Sequence, residues 1–311
     1  MEAYEFENKD ELTKECNKLQ LSKNDFKINF NVVKGRGAFS TVYKAALKRS
    51  LIPSQKSMTN DNNSSEYCIV AAKLINNYEE EEMFNVIGEI QAVQKLGSHE
   101  KICTLLRWST HSGAPCLFFE LMEMDLQSYL ISLRNKSNNL LTKDELVLSL
   151  TDTGDHFNVP EFDRKQQLIF MQILWQISLG LEYIASKRIV HRDVAARNIL
   201  LSRYNNTETY IAKITDFGLC ILLEKDTNTF RAPEFKKFPY KWLAIESLVD
   251  RIFSQASDIW AFGILMMEIY TCAGILYPGI GSNEIVYFLK HDKRMEKPKN
   301  MSQEMYDLAS T

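Results

Sequence analysis

The hydrophobic pattern changes character partway along the chain. Residues 1–29 are polar with a short apolar tail. Alternation then begins at Phe30-Asn31-Val32 and resumes over Ser40-Thr41-Val42-Tyr43-Lys44-Ala45, predicting two strands joined by a turn at Gly35 and Gly37. Residues 50–66 are rich in Ser and Asn and read as an extended surface loop. Cys68 to Ile75 is a compact apolar run, a strand candidate ending near Lys73. From Glu79 to Leu96, apolar Phe84, Ile87, Ile90 and Val93 recur at helical spacing. Two further strands are predicted, Ile102–Trp108 and Pro115–Leu121. Beyond Met122 the pattern turns helical. Asp125 is a plausible N-cap for a helix running to about Arg134. Residues 135–160 are mixed and read as an insertion, and then Ile173, Ile177, Leu181 and Ile184 mark one face of a long helix. Strands first and helices afterwards imply an α+β fold in two segregated lobes.

Composition narrows this picture. At 311 residues, 45% hydrophobic and 25% charged, the chain suits a two-lobed globular domain or two domains. A net charge of −3 gives no electrostatic footprint for nucleic acid. The six cysteines are scattered, with no CxxC pair and no spacing suited to zinc, so free thiols in a reducing compartment are expected. The acidic start (Glu2, Glu5, Glu7, Asp10, Glu11) lacks the apolar core of a secretory signal. Ile259 to Ile280 is long and apolar but carries Glu268 near its middle and is interrupted by Gly263, Gly274, Pro278 and Gly279. A charged centre costs about 3 kcal/mol in a bilayer, so a core helix is the better reading. With no membrane span in this chain, a cytoplasmic location is the default.

The most informative segment is His191-Arg192-Asp193-Val194-Ala195-Ala196-Arg197-Asn198-Ile199, followed by Asp216-Phe217-Gly218. Upstream stand Gly35-Arg36-Gly37-Ala38-Phe39-Ser40 and, on an apolar strand, Val70-Ala71-Ala72-Lys73. Taken alone, the glycine-rich segment is better read as a plain hairpin turn. In this order the four segments resemble a protein kinase domain, specifically a tyrosine kinase, over about residues 26–310. The resemblance implies a bilobal kinase fold. Its N-lobe covers about 26–122 and its C-lobe about 123–311, after a juxtamembrane-like leader over 1–25 that includes Tyr4-Glu5-Phe6. It is closest to split-type receptor kinases, whose insert falls where residues 135–160 stand.

The same resemblance assigns roles. Glycines at 35 and 37 let backbone N–H groups approach phosphate, with Phe39 at the loop tip. Lys34 stands where an aliphatic residue usually covers the base, and its methylene stem serves that purpose. Lys73, paired with Glu89, contacts the α- and β-phosphates. Adenine lies between Val42 and Ala71 on one side and Leu200 on the other, with Phe119 at the back and Glu120-Leu121-Met122 as the hinge. Asp193 accepts or orients the acceptor hydroxyl, and Asn198 and Asp216 hold Mg²⁺ against the phosphates of ATP. His191 is read as a structural residue packed under Phe217. Ala195, where serine/threonine kinases carry lysine, and Arg197 two residues on point to tyrosine acceptors in protein substrates. Phe238 to Leu248 is similar to the platform for a phenol ring, Ala232-Pro233-Glu234 is a decoy for the end of the activation segment, and Asp258 supports the catalytic-loop backbone.

Two departures stand out. Leu219 to Phe238 contains no tyrosine, so Arg192 has no phosphotyrosine to pair with. That leaves control through Thr227 or Thr229, or no phosphorylation switch. The chain also stops at Thr311, inside what the family pattern makes a penultimate helix, and reduced stability is expected from such an end. The expected activity is Mg²⁺-ATP-dependent tyrosine phosphorylation, and the alternative is a pseudokinase or scaffold that keeps the fold. A membrane tether or receptor partner outside this chain stays open.

Overall fold

A computed structural model describes residues 19–37, 40–52, 65–76, 80–138, 161–205, 207–233 and 238–310, with the side chains of 80–85 and 137–138 left aside. The acidic start, Ala38 and Phe39, Phe84, most of the 50–66 loop, most of the 135–160 insert and Glu234 therefore lie outside the described residues. The chain divides into two compact units, Met1–Met122 and Glu123–Thr311.

Among the described residues, unit 1 holds a five-stranded antiparallel sheet, an α-helix and a short 3₁₀ turn at Arg49–Leu51. In chain order it contains β1 (Phe26–Arg36), β2 (Ser40–Lys48), β3 (Tyr67–Ile75), α1 (Glu80–Leu96), β4 (Leu105–His111) and β5 (Ala114–Glu120). The sheet order is β1-β2-β3-β5-β4. β3 shows why the apolar run makes a central strand: Cys68, Val70 and Ala72 are buried, and Val70 and Ala72 pack in a core with Ala45, Leu47 and Phe118. Ile69, Ala71 and Lys73 take the other face. The turn between β4 and β5 has positive φ at both Ser112 and Gly113, the backbone twist that joins two strands most tightly.

Four expectations are corrected here. β1 runs on to Arg36, and Gly35 pairs with Val42, so the predicted turn begins only after the second glycine's neighbour. Two register shifts, at Asn29/Val33 and Val33/Gly35, bulge this edge strand and leave Phe30 and Val32 exposed. In α1 the inward residues are Val86, Glu89, Ile90, Val93 and Leu96, whereas Ile87 is 39% exposed. β4 starts later than predicted, with Ile102 and Cys103 buried ahead of it. Residues 19–21, read as leader, run beside β4: the N–H of Leu21 donates to the Trp108 carbonyl at 2.8 Å. Leu21 thereby joins the core.

Unit 2 opens with β6 (Met124–Asp125) and α2 (Leu126–Asn138). Asp125 caps α2 as predicted, its carboxylate accepting the Ser128 N–H at 2.7 Å. α3 (Arg164–Ser186) is capped by Asp163 and buries Ile173, Ile177, Leu181 and Ile184 on one face. Next come β7 (Ile189–Val190), β8 (Ile199–Arg203), β9 (Tyr210–Ile214), β10 (Ile221–Leu222), β11 (Thr229–Arg231), α4 (Ile245–Val249) and β12 (Ile252–Ser254). α5 (Gln255–Tyr270), α6 (Ile285–Lys290) and α7 (Gln303–Ser310) follow.

α5 is the predicted core helix, buried on most of its circumference and started by a Ser254/Ser257 capping box. It ends at Tyr270 and does not run on to Ile280, because Cys272 and Ala273 both adopt left-handed φ and turn the chain away. α7 approaches α5 so closely that a Cβ on Gly263 would meet the Ala309 carbonyl oxygen at 2.5 Å.

Candidate active site

In unit 1 the sheet gathers the candidate residues on one face. Val42 pairs with Lys73, Lys73 with Leu117 and Ala71 with Phe119, and directly paired residues point the same way. That face is opposite the core, so Val42, Ala71 and Lys73 stay half-buried. The Lys73 ammonium reaches both carboxylate oxygens of Glu89, at 2.8 and 2.9 Å. Glu89 sits on the buried face of α1, and the low local dielectric strengthens the pair. Glu120 is tied to Thr104, whose N–H donates to its side chain at 2.8 Å, and Met122 is buried just beyond. At the glycine-rich turn the Gly37 N–H donates to the Ser40 carbonyl at 2.8 Å, and Lys34 is exposed on β1.

In unit 2 two loops lie side by side because β8 pairs with β9. Ile199 stands opposite Ile214, and the Thr215 N–H donates to the Asn198 carbonyl at 2.9 Å. This puts Asp216 next to the loop that carries Asp193 and Asn198. The Asn198 amide donates to the Asp193 carboxylate at 2.7 Å and to its carbonyl at 2.8 Å. The other Asp193 oxygen accepts from the Arg197 guanidinium. The Asp193 carboxylate is therefore fixed on both sides. Asp216 holds a left-handed φ of 64°, a conformation a non-glycine residue adopts only when its surroundings impose it. Leu200 is half-buried on β8.

His191 is structural. Its Nδ1 accepts the Asp193 N–H at 3.3 Å, its Nε2 faces the Thr215 carbonyl at 3.2 Å, and its ring meets Phe217 edge-on. With one nitrogen accepting and the other donating, the ring is committed to the loop backbone. Asp258 accepts the His191 and Arg192 N–H groups at 2.6 and 2.8 Å. Burial pushes its carboxyl above the usual range, opposed by the His191 and Arg192 groups beside it.

Several functional contacts escaped the sequence reading. Glu268, 2% exposed on α5, accepts the Ala196 N–H and the Trp242 indole N–H, both at 2.9 Å. An isolated acid in an apolar run was the available signal, since such residues are almost never buried without partners. The Arg197 guanidinium lies over the Trp242 ring at 4.3 Å. Arg192, expected to face an absent phosphate, instead stands 5.2 to 5.4 Å from the rings of Phe230, Phe238 and Phe253. These rings are scattered in sequence, and nothing in their spacing marks them as neighbours.

A lysine-carboxylate pair on the sheet, then an Asp–Asn loop beside Asp-Phe-Gly, in this chain order, define a class: the protein kinase domain. A model of the protein tyrosine and serine/threonine kinase family matches residues 28–311, and the chain belongs to that family. It is 35% identical over 274 residues to the fibroblast growth factor receptor of Halocynthia roretzi, covering 88% of this chain and 34% of that one. The fibroblast growth factor receptor of Ciona intestinalis is 33% identical over 231 residues, 74% of this chain and 29% of its own. The myoblast growth factor receptor egl-15 of Caenorhabditis elegans is 31% identical over 284 residues, 88% and 25%. The chain thus spans between a quarter and about a third of the length of these curated relatives.

Proposed function

We propose that this domain transfers the γ-phosphoryl group of ATP to tyrosine hydroxyls of protein substrates, with Mg²⁺ as the metal. The bond from the γ-phosphorus to the bridging oxygen breaks, a bond to the phenol oxygen forms, ADP leaves, and the phenol proton passes to Asp193. Lys73, held charged and aimed by Glu89, supplies positive charge for nucleotide phosphates, and Val42, Ala71 and Phe119 supply apolar surface for the base. Asn198 and Asp216 offer hard oxygen ligands, which suit Mg²⁺. Among the described residues no three His, Cys, Asp or Glu side chains cluster as a metal site. That donor set fits an ion that arrives with phosphates and completes its shell with their oxygens. When bound, Mg²⁺ neutralises charge building on those oxygens.

One observation carries the reading: the Asp193 carboxylate is pinned between Arg197 and Asn198, beside the segment leading to Asp216. Ala195 leaves the place of a serine/threonine-type lysine empty of charge, which favours a phenol over an aliphatic hydroxyl. We place the domain on the cytoplasmic side of the cell, with a receptor or membrane tether as its natural context, by analogy with relatives named as growth factor receptors.

The test is phosphotransfer to a mixed set of tyrosine and serine peptides, comparing wild type with Asp193→Asn. Transfer confined to tyrosine and reduced about 10²- to 10⁴-fold in the variant is expected. Nucleotide binding without any transfer moves the assignment to a scaffold that keeps the kinase fold.

A further inference from the structure

We propose that Glu268 is a positioning residue for the acceptor, holding Trp242 so that its indole ring fixes Arg197 against Asp193. The inference rests on the tyrosine kinase reading and deepens it.

The argument starts from cost. A carboxylate taken almost wholly out of water is retained only where its partners repay desolvation, and well-packed apolar residues often serve stability better. Glu268 lies near the C-terminal end of α5, after the largely apolar run Ile259–Met267. One of its oxygens, Oε2, takes both the Ala196 N–H and the Trp242 indole N–H, each at 2.9 Å. Both donors belong to the acceptor side of the chemistry. Ala196 is in the catalytic loop between Asp193 and Asn198, and Trp242 is in the short helical turn Tyr240–Trp242 of the segment similar to a phenol platform.

From Trp242 the connection continues. Its ring face carries the Arg197 guanidinium at 4.3 Å, and Arg197 bonds Asp193. Arg197 is therefore held between an aromatic face and the carboxylate that meets the acceptor hydroxyl. The indole N–H fixes how that ring is turned. Releasing it lets the ring rotate, which frees Arg197 and with it one side of Asp193. This chain of contacts reaches Asp193 through the oxygen that Arg197 bonds, whereas Asn198 bonds the other, so its effect is expected on the acceptor.

Two variants attack the link from opposite ends. Glu268→Gln keeps the shape but replaces the doubly accepting carboxylate with a neutral amide. Trp242→Phe keeps a ring for Arg197 but removes the N–H. Each is expected to lower kcat and raise the tyrosine-peptide KM, for a combined loss of about tenfold in kcat/KM, with the KM for ATP unchanged. The double variant is expected to lose no more than the worse single one, because both remove the same interaction. A purely structural role predicts a lower kcat from fewer folded molecules, with both KM values unmoved, and that result overturns the proposal. So do fully additive effects.

Peptide affinity measured by calorimetry, with Mg²⁺ and a non-hydrolysable ATP analogue, provides a readout without turnover. Weakening by about threefold in either variant supports the proposal, and equal affinity overturns it. A wild type that binds peptide but transfers no phosphate refutes the assigned activity alone, and the affinity comparison still decides this inference. A wild type that binds no tyrosine peptide overturns both.

Discussion

Two acids on α5, Asp258 and Glu268, hold the catalytic loop by accepting its backbone N–H groups. Neither sits comfortably as an anion. Burial pushes both carboxyls above their ordinary range, and for Glu268 the Trp242 and Ala196 N–H groups pull back only part of the way. The sign of the resulting pH dependence follows. A carboxyl whose pKa is raised on folding binds its proton more tightly in the native state than in the unfolded chain. Its contribution to stability is therefore fully present below the ordinary carboxylate range and is lost as pH rises through the raised value. Glutamine at 268 does not titrate, so subtracting its melting curve isolates this one group. The stability of wild type relative to Glu268→Gln should fall as pH rises above the ordinary carboxylate range. Thermal melts over that rise check it, and a difference that grows with pH would contradict the sign.

At the level of elements, burial decides what each helix and strand contributes. On α1, Ile90 is buried and Ile87 is exposed. Ile90→Ala should cost about 2–5 kcal/mol, against less than about 0.5 kcal/mol for Ile87→Ala, measured by denaturant unfolding. Equal costs would mean the helix is turned differently. The activation segment raises a second element-scale question. Arg192 is bonded to the Leu219 carbonyl and surrounded by Phe230, Phe238 and Phe253. Phe238 and Phe253 also stack at 4.7 Å, and Phe230 pairs with Phe253 across β11 and β12. Each ring over the guanidinium contributes about 0.5–2 kcal/mol. The segment is thus anchored by aromatic contacts where the family pattern uses a phosphate. Phosphatase treatment, or alanine at both Thr227 and Thr229, should leave the transfer rate unchanged. Phe238→Leu should lower it and speed proteolysis within 219–238. A large drop on phosphatase treatment would restore a phosphorylation switch.

These same elements show what could be read from the chain. The strands around Lys73, the long helix α3 and the pairing of Asp125 with its helix were legible, because periodicity and capping are local properties. Placing Asn198 next to Asp216 was legible through motif order. Ile87 was misjudged because Val86 and Ile87 are adjacent, and apolar spacing alone does not choose between neighbouring positions on a helix. The end of α5 was overrun because left-handed turns at Cys272 and Ala273 carry no compositional mark. The Glu268–Trp242 bond and the Arg192 surroundings join residues distant in sequence, and only folding brings them together.

For the whole molecule, the strongest consequence is linkage between ligand and fold. Of the residues proposed for nucleotide and metal, Val42, Ala71, Lys73 and Glu89 belong to the first unit, and Asn198, Leu200 and Asp216 belong to the second. A ligand that binds only the native state stabilises it by an amount set by its concentration over Kd, about 2.7 kcal/mol at a hundredfold excess. Mg²⁺-ATP should therefore raise the melting temperature by several degrees. Because Asn198 and Asp216 supply only part of an ion's ligand shell, the metal alone should add little, and chelation with EDTA should remove most of the gain from ATP. Asp216→Asn removes the proposed charged metal ligand and should abolish the metal-dependent part of the shift while leaving some response to nucleotide. Lys73→Met should weaken the response to ATP with or without metal, since its contact is to phosphate. A calorimetric matrix of the three proteins with ATP, Mg²⁺ and EDTA separates these effects. If Asp216→Asn melts with an undiminished Mg²⁺-dependent shift, the ion is held elsewhere and the assignment of Asp216 as a metal ligand fails.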